Sequence, residues 1–427
     1  MDKIRVVWIC SFSNPEIRSL LPKRKGLLGK FFKKQFSETD SAQWNTNGIR
    51  EFEKLTDQVE LHVVCPSRSI NKRFYAFDHK GIHYHFFQEE NTGLIRRFYR
   101  YLFTRYSSDF RINRKREIQL VRSINPDVVH LIGPECFHFS KVLIDIKDIP
   151  TIAQLQTVIH DPNIIALYPD RPDFINYRLK SEEEVLKSAQ YIGAVDQHYK
   201  DIMTKYVKPD AVFLKLGLAL GENVDLSYAS KDYDFVYFAS YIRKAVDLAI
   251  EAFALALKEE PNLTLDIVGG YSSVEKAVID KRIQELGISD RITFEGRLPS
   301  HEDVIKQVKR SRFALLPLKV DTISGTVREA MAYGLPVVTC ITPGTPSLNT
   351  KRESVLLSAV GDHQTMADNM VKLVRNPEFA EMIKNNAATT HSETLSNSQI
   401  MAKWIEAYRA VVDKQRNGSQ IPDNILL

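Results

Sequence analysis

The sequence predicts an α/β protein with two domains, each built on a parallel sheet. Short runs rich in β-branched residues alternate with helical patterns along the 427 residues, which is typical of parallel strands joined by helices. Runs such as VELHVV and DVVHLI suit strands that are buried on both faces. A polar, glycine-containing and aperiodic stretch at 217–233 interrupts the rhythm, which then restarts. We therefore expect a domain boundary in this stretch.

Each half of the chain offers six strand candidates. Those of the first half are Ile4–Ile9, Val59–Val64, Val128–Ile132, Thr151–Leu155, Tyr191–Val195 and Ala211–Leu214. Those of the second half are Phe235–Phe238, Leu263–Val268, Ile292–Phe294, Phe313–Leu316, Pro336–Thr339 and Val355–Leu357. Apolar residues at helical spacing predict a packed helix over Ser398–Lys414, and the tail Gln415–Leu427 is expected to fray.

Composition excludes several classes of protein. No apolar run approaches the roughly 18 residues of a membrane-spanning helix, and the start, MDKIRVVWICSF, lacks the cleavage pattern of a signal peptide. The four cysteines form no CxxC pair, which argues against a zinc cluster and a disulfide framework. Residues 1–120 carry 23 Lys+Arg against 13 Asp+Glu, a net +10, so the remainder carries −5 of the total +5. We expect a soluble, cytoplasmic protein whose first part meets an anionic partner.

The segment Leu315–Thr339, LLPLKVDTISGTVREAMAYGLPVVT, is the most informative. It predicts a strand, a loop holding Ser324, Gly325 and Thr326, and then the helix VREAMAY. The free amides and positive dipole end of that helix favour an anion such as a diphosphate, although an ordinary βα turn has the same pattern. The carboxylates Asp321 and Glu329 border this loop, and sugar hydroxyls are suitable donors to them. The combination fits a nucleotide diphosphate-sugar.

This motif, D-x7-E followed by AMAYGLPVVT, resembles the E-x7-E motif of the family 4 retaining glycosyltransferases. The order of FVYFAS, KAVDLAIEAF, LDIVGG and ITFEGRLPSHEDV is also similar, and INPDVVHL and PTIAQLQTVIHD resemble the family's first half. The resemblance implies the GT-B architecture, in which two Rossmann-like domains face a central cleft. Residues 1–220 would bind the acceptor and 232–400 the donor, and a helix at 398–414 would cross back to the N-terminal domain.

The resemblance also implies roles for individual residues. Glu329 would hold the ribose hydroxyls, and Asp321, one methylene shorter than the family's Glu, would face the donor sugar. Ser324–Thr326 would approach the phosphates, with Lys244 neutralising the diphosphate beside Arg243. Ser240 and Tyr241 replace the family's Gly-Arg, and Ala245 a later Gly, so the place of the Arg partner is open.

Two further parts of the site follow from the resemblance. Arg297 and Leu298 fall in the loop that surrounds the base in relatives, and His160 matches a histidine that lines the cleft. A histidine satisfied within a loop is the other interpretation of His160. No bound metal or cofactor is expected, and the DxD formed by Asp232 and Asp234 is interpreted as part of a linker. The absence of GxGxxG and Walker A motifs argues against oxidoreductases and kinases.

Residues 18–36 and 96–116 combine basic residues with leucine and aromatic residues. This pattern suits an anionic membrane surface, which would place the protein peripherally on the inner face of the membrane. Amphipathic helices packed on the sheet are the alternative interpretation, and no nucleic-acid-binding module accompanies the segments.

The sequence thus predicts a retaining, metal-independent glycosyltransferase of hexosyltransferase type. It would move a sugar from a nucleotide diphosphate-sugar to a glycan or lipid-linked glycan in cell-surface polysaccharide assembly. A nucleotide-sugar 2-epimerase on the same fold and a degenerate nucleotide-sugar-binding subunit are the alternatives.

Overall fold

The chain forms two compact units in the computed structural model. The first unit combines Met1–Ala219 with Asn397–Leu427, and the second comprises Leu220–Ser396. The residues that the structure describes are 3–22, 41–90, 109–166, 168, 171–221, 230–239, 245–319 and 323–427. The architecture is α/β, and each unit is built on its own parallel sheet.

Eight strands form the sheet of the first unit, within the described residues, in the order β3-β4-β2-β1-β5-β6-β7-β8. All neighbours run parallel except β3 and β4. The strands are β1 Ile4–Ile9, β2 Val59–Ser67, β3 Phe74–His79, β4 Ile82–Gln88, β5 Val128–Ile132, β6 Thr151–Gln154, β7 Tyr191–Ala194 and β8 Val212–Lys215.

The hairpin of β3 and β4 is absent from our strand predictions. Lys80 and Gly81 connect its strands with φ values of 49° and 76°, and this left-handed pair is the geometry of a tight two-residue hairpin turn. The alternation in FYAFDH and IHYHFFQ was the available signal. The histidines on alternate positions lowered the apparent hydrophobicity of a strand that the sheet nevertheless partly buries.

Six strands form the sheet of the second unit, again counting described residues, in the order β11-β10-β9-β12-β13-β14. Every printed pairing in it is parallel. The strands are β9 Tyr233–Phe238, β10 Leu265–Val268, β11 Ile292–Gly296, β12 Ser311–Leu316, β13 Val337–Cys340 and β14 Leu356–Ser358. The order reverses between β9 and β12, because β10 and β11 extend to one side and β13 and β14 to the other.

Helices cover both faces of each sheet. They are α1 Pro15–Leu20, α2 Gln43–Glu53, α3 Arg111–Ile124, α4 Phe137–Ser140, α5 Pro162–Ile165, α6 Pro172–Ser188, α7 Gln197–Met203, α8 Val246–Glu259, α9 Ser273–Glu285, α10 His301–Val308, α11 Gly325–Ala332, α12 His363–Arg375, α13 Pro377–Thr390 and α14 Asn397–Asn417. In the first unit, α2 and α14 contribute to the core on one face and α3 and α6 on the other. In the second unit, α8 and α12 pack on one face and α11 on the other.

Helix α14 joins the first unit through an aromatic cluster. The Trp404 ring lies 5.2 Å from that of Trp8 and 4.7 Å from that of His130, and its Nε1 donates to the Gly217 carbonyl at 2.8 Å. The Tyr408 hydroxyl accepts from Trp8 Nε1 at 2.8 Å and lies 2.7 Å from His130 Nδ1. Burial lowers the pKa of His130 to about 3, so the ring is neutral and its Nδ1 accepts the Tyr408 proton.

The expectation that the tail after α14 frays is wrong for its end. Ile421 and Ile425 are buried, and the Leu427 amide donates to the Phe213 carbonyl at 3.0 Å. Leu426 forms an antiparallel bridge with Leu214 of β8. The tail therefore covers the edge strand β8, which buries apolar side chains that would otherwise face water.

Asp266 is a buried carboxylate in the middle of the second unit. It is fully buried on β10, and its Oδ2 accepts from Gln307 Nε2 at 2.8 Å. Burial raises the pKa of this carboxyl to about 6, with Glu295 adding to the shift and Gln307 and Arg310 opposing it. The folded state therefore binds a proton between about pH 4 and 6 that the unfolded state has released, so ionising Asp266 above pH 6 destabilises the fold.

Asp266→Asn is expected to raise the midpoint of thermal unfolding at pH 8, because a neutral amide keeps the bond from Gln307 without a buried charge. The advantage should shrink as the pH falls to 4, where the wild-type carboxyl is itself neutral. Unfolding scans at pH 4, 6 and 8 measure the difference, with the exposed Asp290→Asn as the matched control. An advantage that is the same at all three pH values would contradict the assignment.

Candidate active site

The carboxyl ends of β9 and β12 are neighbours in the sheet of the second unit. In open parallel sheets, ligands bind outside the carboxyl ends of the strands where the strand order reverses, and this pair lies at that reversal. Lys319 follows β12 and donates to Asp247 in the first turn of α8 at 2.5 Å. The connections that follow the two strands are thus held next to each other.

Helix α11 begins at this edge with a free N-terminus. The Ser324 side chain caps it by accepting from the Thr326 amide at 3.3 Å, and the two hydroxyls lie 2.8 Å apart. A methyl group added at Gly325 would meet no atom within 4 Å, so the first turn faces open space. An anion there would meet backbone amides and the positive end of the helix dipole.

Glu329 lies one turn further along α11 and is partly buried. Its Oε1 is 3.2 Å from Nε2 of His301, the first residue of α10. Arg328 beside it is buried, which lowers the pKa of its guanidinium to about 10, so it stays protonated at neutral pH. Our sequence analysis did not include His301, whose nearness to Glu329 depends on the packing of two helices that are distant in sequence.

Arg297 and Leu298 follow β11 at the same edge of the sheet. A methyl group added at Gly270 would lie 3.0 Å from Cβ of Arg297, so the ends of β10 and β11 pass close together. The Gly269 amide donates to the Gly296 carbonyl at 2.8 Å and fixes this approach. Arg297 is exposed and Leu298 partly buried, so both can meet a ligand at this edge.

A depression of about 370 Å³ lies beside Leu298 but on another side of α10. The residues that line it are Leu298, Pro299, Asp303, Lys306, Gln307 and Arg310. At 100° per residue, position 303 lies about 200° around the helix from His301, which faces Glu329. The depression is therefore separate from the edge that carries Ser324 and Glu329.

His160 lies in the first unit, beyond the carboxyl end of β6. Its Nδ1 is 2.7 Å from Glu182 Oε2, and its ring centroid lies 3.8 Å from that of Tyr206. Glu182 is fully buried and also accepts from the Ile159 amide at 3.3 Å. When Nδ1 donates to Glu182, Nε2 becomes the acceptor, so the pair fixes one tautomer of His160.

Three of the predicted site residues, Arg243, Lys244 and Asp321, lie outside the described residues. The basic segments 18–36 and 96–116 lie largely outside them as well. In the described part of the second segment, Arg114 pairs with Asp145 at 2.7 Å and with Asp109 at 3.3 Å. No helix of the described ranges is long and apolar enough to cross a membrane.

The two acidic side chains of the DxD sequence bind arginines. Asp232 pairs with Arg310 at 2.7 Å, and Asp234 pairs with Arg312 at 2.9 Å. Asp234 also accepts from the Thr264 amide at 3.1 Å. These contacts anchor the start of β9 to β12, at the opposite end of the strands from Ser324.

Comparison with protein families places a known domain over the second unit. Residues 225–390 match the family described as glycosyl transferases group 1. A D-inositol 3-phosphate glycosyltransferase of Frankia alni is 29% identical over 166 residues, 37% of this chain and 40% of the relative. An N-acetyl-alpha-D-glucosaminyl L-malate synthase of Bacillus anthracis is 24% identical over 51% of this chain and 56% of the relative. The chain thus spans about half the length of the curated relatives it matches.

Solved structures resemble nearly the whole chain. Sucrose-phosphate synthase of Thermosynechococcus elongatus is 14% identical with a TM-score of 0.67, over 95% of this chain and 98% of that one. HepE of Anabaena in complex with UDP and glucose is 14% identical with a TM-score of 0.63, over 95% and 99%. The fold is that of the GT-B glycosyltransferases. Together with the group 1 domain at 225–390, it supports placing this chain among the glycosyltransferases.

Proposed function

We propose that the protein transfers a sugar, with retention of configuration and without a metal ion, from a nucleotide diphosphate-sugar to a hydroxyl acceptor. The observation that carries the proposal is the arrangement on α11, where an open, Ser324-capped N-terminus precedes Glu329 by one turn. Amides at the helix start suit a diphosphate, and a carboxylate one turn away suits the hydroxyls of a ribose. The HepE relative was solved with UDP and glucose, which is consistent with this class of donor.

Positive charge from the chain would replace a metal ion at the diphosphate. The connection after β9 carries Arg243 and Lys244, and it is adjacent to the α11 N-terminus because β9 and β12 are neighbours. In the proposed step the bond from the sugar C1 to the diphosphate breaks and the acceptor oxygen bonds to C1 on the same face. The acceptor proton passes to the leaving phosphate, whose charge Lys244 and the Ser324–Thr326 turn stabilise.

The remaining predicted residues have places in this proposal. Arg297 and Leu298 would contact the base, since they follow β11 at the same edge of the sheet. Asp321 would bind the donor sugar. His160, held in one tautomer by Glu182, would present Nε2 to a sugar hydroxyl. A glycan or lipid-linked glycan is the acceptor class that we propose, with hexose as the transferred sugar.

The proposal is tested first with a panel of UDP-, GDP- and ADP-sugars. A donor that binds should raise the unfolding temperature, and a ligand at 100 times its Kd adds roughly 2.7 kcal/mol of stability. The stabilising donor is then incubated with glycan acceptors, and proton NMR of the product should show the anomeric configuration of the donor. An inverted product would refute retention, and full activity that is lost in EDTA and restored by a divalent ion would refute metal independence.

The same assay separates the two alternatives. A 2-epimerase would convert the donor to its epimer in the absence of any acceptor. A degenerate binding subunit would be stabilised by a nucleotide sugar without hydrolysing or transferring it.

Glu329→Ala is expected to weaken nucleotide binding by about 1.5–3 kcal/mol, because buried ribose hydroxyls lose a charged acceptor. Calorimetry with the nucleotide diphosphate measures the loss. Glu302→Ala, which removes an exposed carboxylate from the adjacent helix α10, is the control and should leave the affinity unchanged. Equal affinities for the two variants would remove the ribose role from Glu329.

A further inference from the structure

Three histidines and two carboxylates meet on one face of the first unit's sheet, on strands β2, β3 and β4. His62 pairs in register with His83, and Asp78 of β3 lies opposite His83 across the hairpin. The His62 ring stacks on that of His83 at 4.5 Å and lies 5.3 Å from that of His85. Glu60 precedes His62 by two positions and therefore shares its face.

From this geometry we infer a binding site for a divalent transition-metal ion, formed by Glu60, His62 and His83. One ligand atom from each of these residues lies within 4.8 Å of the other two. Imidazole nitrogens with one carboxylate suit ions such as Zn²⁺, which takes three protein ligands and keeps a position for water in open sites. The inference concerns a different unit from the donor-binding edge and does not depend on the proposed function.

The hydrogen bonds leave the same nitrogen of both rings directed at this point. His62 Nδ1 lies 3.0 Å from His85 Nε2, while His62 Nε2 lies 3.0 Å from Glu60 Oε1. His83 Nδ1 lies 2.7 Å from Asp78 Oδ1, which leaves Nε2 of His83 as its ligand atom. Histidines that bind metals commonly donate their other ring N–H to a carboxylate or a similar acceptor, which fixes the tautomer. Asp78 and His85 are in position to do this.

The charges around the cluster also favour a cation. Burial lowers the pKa of His62, although Glu60 opposes the shift, and burial lowers that of His85 to about 4. The rings are therefore neutral at pH 7 and keep the lone pairs that a metal needs. Hydrogen bonds from Arg5 and His62 outweigh burial and lower the pKa of Glu60 to about 2, so Glu60 is ionised.

Arg5 occupies the position of a competitor for the metal ion. Its Nε donates to Glu60 Oε1 at 3.0 Å, the same oxygen that approaches His62. Its side chain is 40% exposed, so it can turn towards solvent when a cation binds Glu60. This contact gives the inference a consequence of opposite sign, because removing Arg5 should strengthen metal binding.

The cluster lies away from the edge where this unit's predicted site residue is found. Glu60 and His62 are near the start of β2, and His83 is the second residue of β4. His160 instead lies beyond the carboxyl end of β6. Because the strands concerned are parallel, the cluster and His160 lie towards opposite ends of the sheet.

The test uses the full chain, stripped of metal by chelation and free of any affinity tag. Calorimetric titration with Zn²⁺ should show one ion per chain, and Co²⁺ should develop the visible absorption of a tetrahedral site. His83→Ala should abolish this binding, and Asp78→Asn should weaken it roughly 10- to 100-fold. Arg5→Gln should bind Zn²⁺ more tightly than wild type, and His198→Ala, which removes a histidine outside the cluster, should bind it equally.

Two results would overturn the inference. One is a wild-type chain that takes up no Zn²⁺, and the other is a His83→Ala variant that binds it as tightly as wild type. Circular dichroism establishes that His83→Ala is folded. If it is not, His83→Gln serves in its place, and the Arg5→Gln titration decides the question without removing any ligand.

Discussion

Replacing Lys244 by alanine is expected to lower kcat by roughly 10²- to 10³-fold, the loss seen when one preorganised donor to a developing negative charge is removed. The KM for the nucleotide sugar should change much less. Charge on the leaving diphosphate grows as its bond to C1 breaks, so a nearby ammonium group stabilises the transition state more than the bound substrate. Steady-state kinetics with the donor identified by the panel measure both constants.

Lys258→Ala is the matched control for this experiment. It removes the same charge from an exposed lysine in the last turn of α8, away from the carboxyl edge of the sheet. Its kcat and KM should equal those of wild type. A Lys244→Ala enzyme in which KM rises and kcat is unchanged would show that Lys244 binds ground state and transition state equally. Arg243 would then be the next residue to replace.

Trp404→Ala is expected to destabilise the first unit by about 3–5 kcal/mol, the usual cost of removing a large aromatic side chain from a core. The indole is 3% exposed, packs against Trp8 and His130, and donates to the Gly217 carbonyl. Removing it leaves a cavity and an unpaired buried carbonyl. Urea denaturation monitored by circular dichroism measures the loss.

Trp44→Ala is the control for this loss, because Trp44 lies in the same unit but is 40% exposed. It should cost far less. Similar losses for Trp44→Ala and Trp404→Ala would show that α14 contributes little to the stability of the first unit. Tyr408→Phe adds a finer test, because it keeps the ring and removes only the hydroxyl shared by Trp8 and His130.

Periodicity located most of the sheet because buried parallel strands carry a strong local signal. The predicted bounds of Ile4–Ile9 and Val128–Ile132 coincide with those of β1 and β5. The hairpin of β3 and β4 was missed, since its polar positions reduce the apolar signal that the prediction used. The packed end of the tail was missed because its contact with β8 joins residues more than 200 positions apart.

The site was predictable to the extent that one continuous segment encodes it. Ser324, Gly325 and Glu329 lie on a single strand–loop–helix segment, so their spacing alone places them together. The partners of these residues were not predictable in this way. His301 reaches Glu329, and Glu182 reaches His160, only after separate helices have packed. The cluster of Glu60, His62 and His83 likewise requires the pairing of β2 with β4.

The composition of the first unit from two separated chain segments has a consequence for synthesis on the ribosome. The second unit, Leu220–Ser396, is continuous, so all of its strands have left the exit tunnel before the first unit is complete. The first unit must wait for α14, because Trp404 and Tyr408 fill the space beside Trp8. Its sheet emerges early with that apolar face uncovered. The nascent first unit is therefore the part that a chaperone would meet, although domains generally fold in the order of their synthesis.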